Sequence, residues 1–501
     1  MITQTRTRRE FLAAAGTAAV STAFGAAPER GAASRPNIVL ILADDLGYND
    51  IGCYGQRLIR TPHLDRLAAE GIRFTDHYSG SPVCAPSRCT LTTGLHTGHA
   101  YIRDNDEMAE LGDVWNDPRI EGQRPLRPGT VTIASVLQRA GYRTAVVGKW
   151  GLGGPGSTGE PTRHGFDYAY GFLCQRQAHN YYPDHLWRNG VRMPLDNEAF
   201  KAHQKLPADR DPDDPASYAP YRGRQYAFDL MLDEAERFIR DNRSRPFFLH
   251  FTPTIPHLAL QVPDDSLAEY AGAFPEAPYR GDKGYLPHRT PRAAYAAMVT
   301  RLDRGIGRLV STLHELDLDR RTVLLFTSDN GATFETGGYD AAFFRSNAPW
   351  RGAKQQLYEG GIRVPLLAWW PGQIHPGLVS RHLSANWDWL ATCADLAGAT
   401  LESPTDGVSV APLLAGGRQP THEYLYWEFK GRQAVRWGRW KALRDAQKDV
   451  CELYDLENDL AETRDLASAR PAEVTKALEI MRSARVESER YPLLPRTQPG
   501  R

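Results

Sequence analysis

Four short apolar runs punctuate the chain, and each stops abruptly at polar residues. Residues 37–42 (Asn-Ile-Val-Leu-Ile-Leu) run into Ala43-Asp44-Asp45. Residues 144–147 run into Gly148-Lys149, residues 247–251 into a loop carrying His257, and residues 323–327 into Ser328-Asp329-Asn330-Gly331. Continuous apolar runs of this length predict strands buried on both faces, as in a parallel sheet. Helical periodicity alternates with them. Residues 62–70 begin at Thr61-Pro62 and end before Gly71, the usual punctuation of a helix. Residues 130–140 are closed by Gly141. Phe228, Met231, Leu232, Ala235, Phe238 and Ile239 share one face, and so do Tyr295, Val299, Leu302, Ile306, Leu309 and Leu313. Strands alternating with helices predict an α/β fold, a large mostly parallel sheet sandwiched by helices. Ligands of such folds bind beyond the carboxyl ends of strands. Asp44, Asp45, Lys149, His257, Asp329 and Asn330 all fall there.

The pattern changes near residues 416–420. Trp/Tyr-rich strands are expected over 424–429 and 434–443, another over 451–456, and a helix over 471–489. This predicts a small antiparallel C-terminal α+β domain over 418–490, after a main domain over 35–417. Residues 198–223 and 263–290, rich in proline and in charged, glycine or tyrosine residues, read as long surface loops shaping a cleft. Residues 491–501 read as a disordered tail.

Composition narrows the function. The chain has 501 residues, 41% hydrophobic and 24% charged, with Lys+Arg and Asp+Glu both 60. It can bury a large core, and its zero net charge argues against nucleic acid or an anionic membrane as partner. An anionic substrate needs a local basic cluster. Residues 1–34 read as an export signal. Thr7-Arg8-Arg9-Glu10-Phe11-Leu12 precedes a weakly apolar, alanine-rich stretch over 13–27, as in twin-arginine signals. That predicts passage through the twin-arginine machinery to the periplasm or exterior. No stretch is long and apolar enough for a stable membrane span. The six cysteines (53, 84, 89, 174, 393, 451) have no disulfide-framework or zinc spacing.

Asp44, Asp45, Asp329 and Asn330 offer only oxygen ligands, the set that calcium or magnesium prefers. Either pair alone reads as a strand end or turn; two pairs at two buried strand ends, beside Arg88, Lys149 and Lys354, favour a metal. Arg88 lies in Cys84-Ala85-Pro86-Ser87-Arg88, and Lys354 in Arg351-Gly352-Ala353-Lys354.

Residues 84–94 (Cys-Ala-Pro-Ser-Arg-Cys-Thr-Leu-Thr-Thr-Gly) resemble the first signature of the type I, formylglycine-dependent sulfatases, arylsulfatase-like members of the alkaline phosphatase superfamily. Gly141-Tyr142-Arg143-Thr144 through Gly148-Lys149-Trp150 resembles the second. Residues 44–48 and 61–65 resemble the family's opening segment, and Glu452-Leu453-Tyr454-Asp455-Leu456 its C-terminal hairpin region. The resemblance spans roughly residues 35–466 and is specific in combination. It implies an alkaline phosphatase-like fold and conversion of Cys84 to formylglycine by a maturation enzyme. The hydrated aldehyde would then serve both as a metal ligand and as the nucleophile on sulfur. It implies calcium, with magnesium as the alternative, on Asp44, Asp45, Cys84, Asp329 and Asn330. Arg88, Lys149 and Lys354 would neutralise sulfuryl charge, and His257, assisted by Lys354, would protonate the leaving oxygen.

One position departs from the family. Many members carry histidine two residues after the lysine, where this chain has Gly151. The segment from Gln177 to His185 offers replacements, with His179 and His185 as candidates either for that role or for sugar contact. The expected activity is hydrolysis of a sulfate ester, with a carbohydrate or other small sulfated molecule as substrate. The alternatives are a phosphodiesterase or phosphonate hydrolase, and a non-catalytic sulfated-glycan binding protein.

Overall fold

The computed structural model describes residues 35–494 apart from 113, 115, 116 and 118. The expected export signal (1–34) and residues 495–501 of the expected tail lie outside the described residues. In chain order the strands are β1 (Asn37–Ala43), β2 (Ile72–Phe74), β3 (His77–Tyr78), β4 (Arg143–Lys149), β5 (Tyr168–Phe172), β6 (His185–Arg188), β7 (Val191–Pro194), β8 (Phe247–Thr252), β9 (Thr322–Ser328), β10 (Leu366–Trp369), β11 (Leu378–Ser380), β12 (Ser384–Ala385), β13 (Leu425–Phe429), β14 (Arg432–Trp437), β15 (Trp440–Asp445) and β16 (Val450–Asp455). Ten form one sheet in the order β11-β2-β10-β9-β1-β8-β4-β5-β6-β7. Its centre, β9-β1-β8-β4-β5, is entirely parallel, and antiparallel pairings flank it through β10 and β6. All four apolar runs are therefore central strands.

Each central strand is buried on both faces because alternate residues enter different cores. Val39, Ile41 and Ala43 of β1 join Phe228, Leu232 and Ile306, from helices Ala227–Asp241 and Pro291–Glu315. Ile38, Leu40 and Leu42 join Leu91, Leu137 and Leu390 from the opposite helical layer. Helix Pro62–Glu70 has the expected bounds. The helix expected over 130–140 starts only at Ile133. Thr132 stands outside it as the cap: its hydroxyl accepts the Ser135 N–H while the Ser135 hydroxyl accepts the Thr132 N–H.

The strand expected over 434–443 is two strands. Gly438, at φ 49°, lets the chain turn between Trp437 and Trp440, which pair across the hairpin. The C-terminal helix ends at Ser483 rather than near 489. Beyond it the Val486 N–H donates to the Gly98 carbonyl and Arg485 engages Glu428, so the backbone leaves the helical path.

Both faces of the sheet β13–β16 are used. Leu425, Trp427, Phe429 and Ala434 pack on Tyr78 and Trp387 of the main sheet's surroundings. Tyr426, Val435, Ala442 and Leu453 pack on Ala477 and Met481. A buried ionic cluster joins this sheet to the segment after Lys354. Lys441 lies 2.9 Å from both Glu359 and Glu462 and is fully buried, and Arg363 pairs with Glu359 at 2.9 Å. Burial lifts the Glu462 carboxyl to about 7 against the pull of Lys441. The Glu359 carboxyl, also opposed by burial, is drawn down to about 2 by Lys441 and Arg363.

Removing the lysine alone would leave buried Glu462 without its cation and Glu359 with Arg363 only. Lys441→Met is therefore expected to destabilise the chain by about 3–5 kcal/mol, read by chemical denaturation. The pH dependence has a definite sign. A carboxyl raised to about 7, against an unfolded value of about 4.3, gives stability that is complete below about pH 4 and is lost as pH rises through about 7. Glu462→Gln should abolish that fall.

Candidate functional site

Four strand ends and one helix start converge. Asp44 and Asp45 follow β1, Lys149 ends β4, His257 lies in the loop after β8, and Asp329 and Asn330 follow β9. Gly148 makes the placement of Lys149 possible. It sits at φ 128°, and a Cβ there would lie 2.0 Å from the Thr252 carbonyl oxygen of β8. Cys84 is the first residue of helix Cys84–Thr93, and Gly94, in the left-handed region, closes its far end. Pro86 falls in the first turn, where its missing N–H costs nothing. Every residue of this helix is buried, which holds Cys84 and Arg88 rigidly against the strand ends.

Three cations and three carboxylates interlock. Lys149 Nζ donates to Asp44 Oδ2 at 2.7 Å. Arg88 donates to Asp329 Oδ2 through Nε at 3.1 Å and Nη2 at 2.8 Å, and to the Lys149 carbonyl through Nη1 at 2.7 Å. Lys354 Nζ reaches both Asp45 oxygens at 2.7 and 2.8 Å and Cys84 Sγ at 3.3 Å. Cys84 Sγ lies 3.7 Å from Asp44 Oδ1 and 4.0 Å from Asp45 Oδ1. Of the six ionised groups Lys354 is the most exposed, at 8%.

This environment sets the protonation states. Burial raises the Cys84 thiol to about 12 despite Lys149 and Lys354, so at neutral pH it is a thiol and not a thiolate nucleophile. Burial works against Asp44 too, but Lys149, His257 and Arg88 hold its carboxyl far below the usual range. Burial and then the Asp44 charge push Asp329 up to about 6. His257 is lowered to about 4 by burial, opposed by Asp45. Its Nδ1–H donates to the Leu258 carbonyl at 2.5 Å, which leaves Nε2 facing Asp45 Oδ2 at 3.5 Å.

The oxygen donors fit a hard divalent cation. Asn330 Nδ2 donates to Asp45 Oδ1 at 2.7 Å, yet Asn330 Oδ1 is buried without a hydrogen-bond partner among the described residues. A buried amide oxygen with no donor beside two carboxylates is what a metal ligand looks like before its ion is counted. Asp44, Asp45, Cys84 and His257 also bring ligand atoms within 4.8 Å of one another.

The two loop histidines part company. His179 joins the site: its ring stacks on His257 at 4.8 Å, and its Nδ1 meets His203 Nε2 at 3.1 Å. Tyr285, from the second long loop, packs against all three histidine rings. His185 instead begins β6, a strand absent from the sequence expectation, and pairs with Glu121 at 3.0 Å. Sequence reasoning missed His203 and Tyr285, which come from the two long loops and carry no local signal.

It also missed Gln175. A Cβ built at Gly151 would lie 2.3 Å from Gln175 Nε2, and Gly151 sits at φ 73°. Gln175 fills the space into which a side chain at 151 would project. Its amide is buried, with neither Oε1 nor Nε2 hydrogen-bonded among the described residues.

With this geometry in place, the comparisons identify the class. The sulfatase family model matches residues 36–399, and the model of the N-sulphoglucosamine sulphohydrolase C-terminal region matches 351–487. Mouse steryl-sulfatase is 34% identical over 86% of this chain and 74% of its own. Human N-acetylgalactosamine-6-sulfatase is 33% identical over 82% and 72%. Among solved structures, Ps i-CgsB in complex with k-i-k-neocarrahexaose superposes with a TM-score of 0.72 at 28% identity, covering 90% of this chain and 94% of that one. The chain belongs to the sulfatase family, whose fold is the alkaline phosphatase-like sheet described above. It is an enzyme of the sulfuric ester hydrolase class.

The Gly151–Gln175 fit gives a stability test. Gly151→His should be destabilising through both left-handed strain and the clash. Gln175→Ala should relieve the clash alone, giving a favourable coupling of about 1–3 kcal/mol in a double-mutant cycle read by denaturation.

Proposed function

We propose that this sulfatase hydrolyses a sulfate ester on a carbohydrate, using a nucleophile made from Cys84 by conversion to formylglycine. The observation that carries this reading is the meeting of a buried, protonated Cys84 with Lys354 at 3.3 Å and with two carboxylates. As a thiol the side chain is a poor nucleophile there. A hydrated aldehyde in its place would offer one hydroxyl for attack and a second through which sulfate is expelled. Asp44, Asp45, Asp329 and Asn330 would hold calcium, or magnesium, whose chemistry is to make a bound hydroxyl nucleophilic near neutral pH.

The remaining roles follow from where charge develops. Arg88, Lys149 and Lys354 surround the position of the sulfuryl oxygens with fixed, desolvated positive charge, which stabilises the growing negative charge of the transition state. Asp329, with its carboxyl raised to about 6, can accept the nucleophile's proton. His257 has Nδ1–H committed to a carbonyl, so Nε2 is the atom that exchanges a proton with the leaving oxygen. An ester sulfate beside Nε2 adds negative charge, which favours the protonated imidazole. Lys354, which shares Asp45 with His257, would support the same step.

The carbohydrate assignment draws on relatives named for N-acetylgalactosamine 6-sulfate and on a neighbour bound to a carrageenan oligosaccharide. We read residues 1–34 as a twin-arginine export signal and place the enzyme in the periplasm or outside the cell. Among the described residues no helix is long and apolar enough to cross a membrane. A phosphodiesterase reading loses weight because three cations, not one, face the reacting group. The binding-protein reading rested on Gly151 alone, whereas Cys84, Arg88 and the proposed metal ligands are all present and meet in one buried site.

A general acid matters most for a poor leaving group. His257→Ala should therefore lower kcat at least about 100-fold on a carbohydrate sulfate, and far less on 4-nitrophenyl sulfate, whose phenolate leaves unaided. Equal losses on both would remove His257 from that role. Matched sulfate and phosphate monoesters, compared by kcat/KM, test the choice of sulfate.

A further inference from the structure

A cavity of about 470 Å³, which the proposed chemistry does not use, adjoins the histidine cluster around His203. His203 lines it, and His203 is hydrogen-bonded to His179, which stacks on His257. His203 and His179 thus link the cavity wall to the ring of His257, the proposed leaving-group acid. Its wall carries four cationic side chains, Arg119, Arg176, Arg192 and Lys201, against two carboxylates, Glu121 and Asp184. Most of these charges are spoken for. Arg119 pairs with Asp117, Arg192 with Asp184, and Glu121 with His185.

Arg176 is different. It is 9% exposed, and among the described residues its Nη2 donates to the carbonyls of Asp117 and Ile120 and to no carboxylate. Its Nε is buried without a partner, and it makes no ion pair among the described residues. Glu107 and Asp117 feel its charge, but neither is within ion-pair distance. A buried guanidinium lacking an anion is costly, because desolvation is not offset by a counter-charge. Lys201, at the same wall, is exposed and likewise makes no ion pair among the described residues. Trp187 adds a half-buried aromatic ring, held by its Nε1–H to Glu121 at 2.9 Å.

We propose that this cavity is a subsite for the sugar next to the sulfated one, and that Arg176, with Lys201, binds an anionic group on that sugar. The chemistry is planar or tetrahedral oxyanion recognition by a guanidinium, so a uronate carboxylate and a second sulfate both qualify. Trp187 supplies an apolar face for the ring. The inference rests on the carbohydrate-sulfatase reading and deepens it: the substrate is a polyanionic oligosaccharide, not an isolated sulfated monosaccharide.

The test is calorimetric binding to the full chain carrying Cys84→Ala, which cannot turn substrate over. The probes are a chondroitin sulfate tetrasaccharide (uronate neighbours), an ι-carrageenan tetrasaccharide (sulfated neighbours) and N-acetylgalactosamine 6-sulfate (no neighbour). At least one tetrasaccharide should bind at least tenfold more tightly than the monosaccharide, and which one does so tells carboxylate from sulfate. Arg176→Met should weaken that binding at least tenfold and leave the monosaccharide within twofold. Arg176 also braces the Asp117 and Ile120 carbonyls, so Lys201→Ala serves as the variant with no such structural burden, expected to weaken tetrasaccharide binding about threefold. Unchanged affinity in both variants, equal weakening of all probes, or no tetrasaccharide binding would overturn the subsite. Failure of the catalytic reading shows separately: binding that obeys this pattern, with no sulfate release by matured Cys84-containing enzyme, would leave the subsite standing and count against catalysis.

Discussion

Three buried cations held against three buried carboxylates are the constraint on which the rest of this structure depends. Asp44, Asp45 and Asp329 leave the ends of adjacent parallel strands, where like charges would repel strongly in a dry environment. Arg88, Lys149 and Lys354 arrive from a helix, a third strand and a distant loop, and each pairs with a different carboxylate. Neutralisation at this depth requires all five segments to be fixed together. In the proposed function the same pairs would serve chemistry: a divalent ion would take over the carboxylates, freeing the cations for an anionic ester.

The C-terminal sheet belongs to this arrangement. Trp427 donates to the Ser79 carbonyl at 2.8 Å, five residues before Cys84, and Lys441 anchors Glu359 at 2.9 Å, five residues after Lys354. The Gly331 N–H donates to the Gly361 carbonyl, tying the segment after Lys354 to the residue beside Asn330. Fold energy and site geometry are thus coupled through a small sheet that contributes no reacting group. Activity lost by perturbing it would reflect displaced loops rather than missing chemistry.

Much of this was legible in the sequence, for physical reasons. Strands buried on both faces must be continuously apolar, so β1, β4, β8 and β9 announced themselves, and the polar residues at their ends marked the site. Signature residues at fixed spacing located Cys84, Arg88 and Lys149. The hairpin at Gly438 was hidden because tryptophans on both sides kept the β pattern unbroken. The outer strands β6 and β7 are short and partly exposed, so they lack the apolar run, and in β5 two tyrosines and Gly171 break it. Gln175, Arg176 and His203 were out of reach, because their significance lies in missing partners and in loops that meet only in three dimensions.

The central claim is that Cys84 reacts only after conversion to an aldehyde. Peptide mass spectrometry across residues 84–88, on protein made in its natural host, tests it most directly. The account predicts a peptide that has lost sulfur and two hydrogens, gained one oxygen, and reacts with a hydrazine probe. An intact thiol in folded enzyme that still releases sulfate would contradict it.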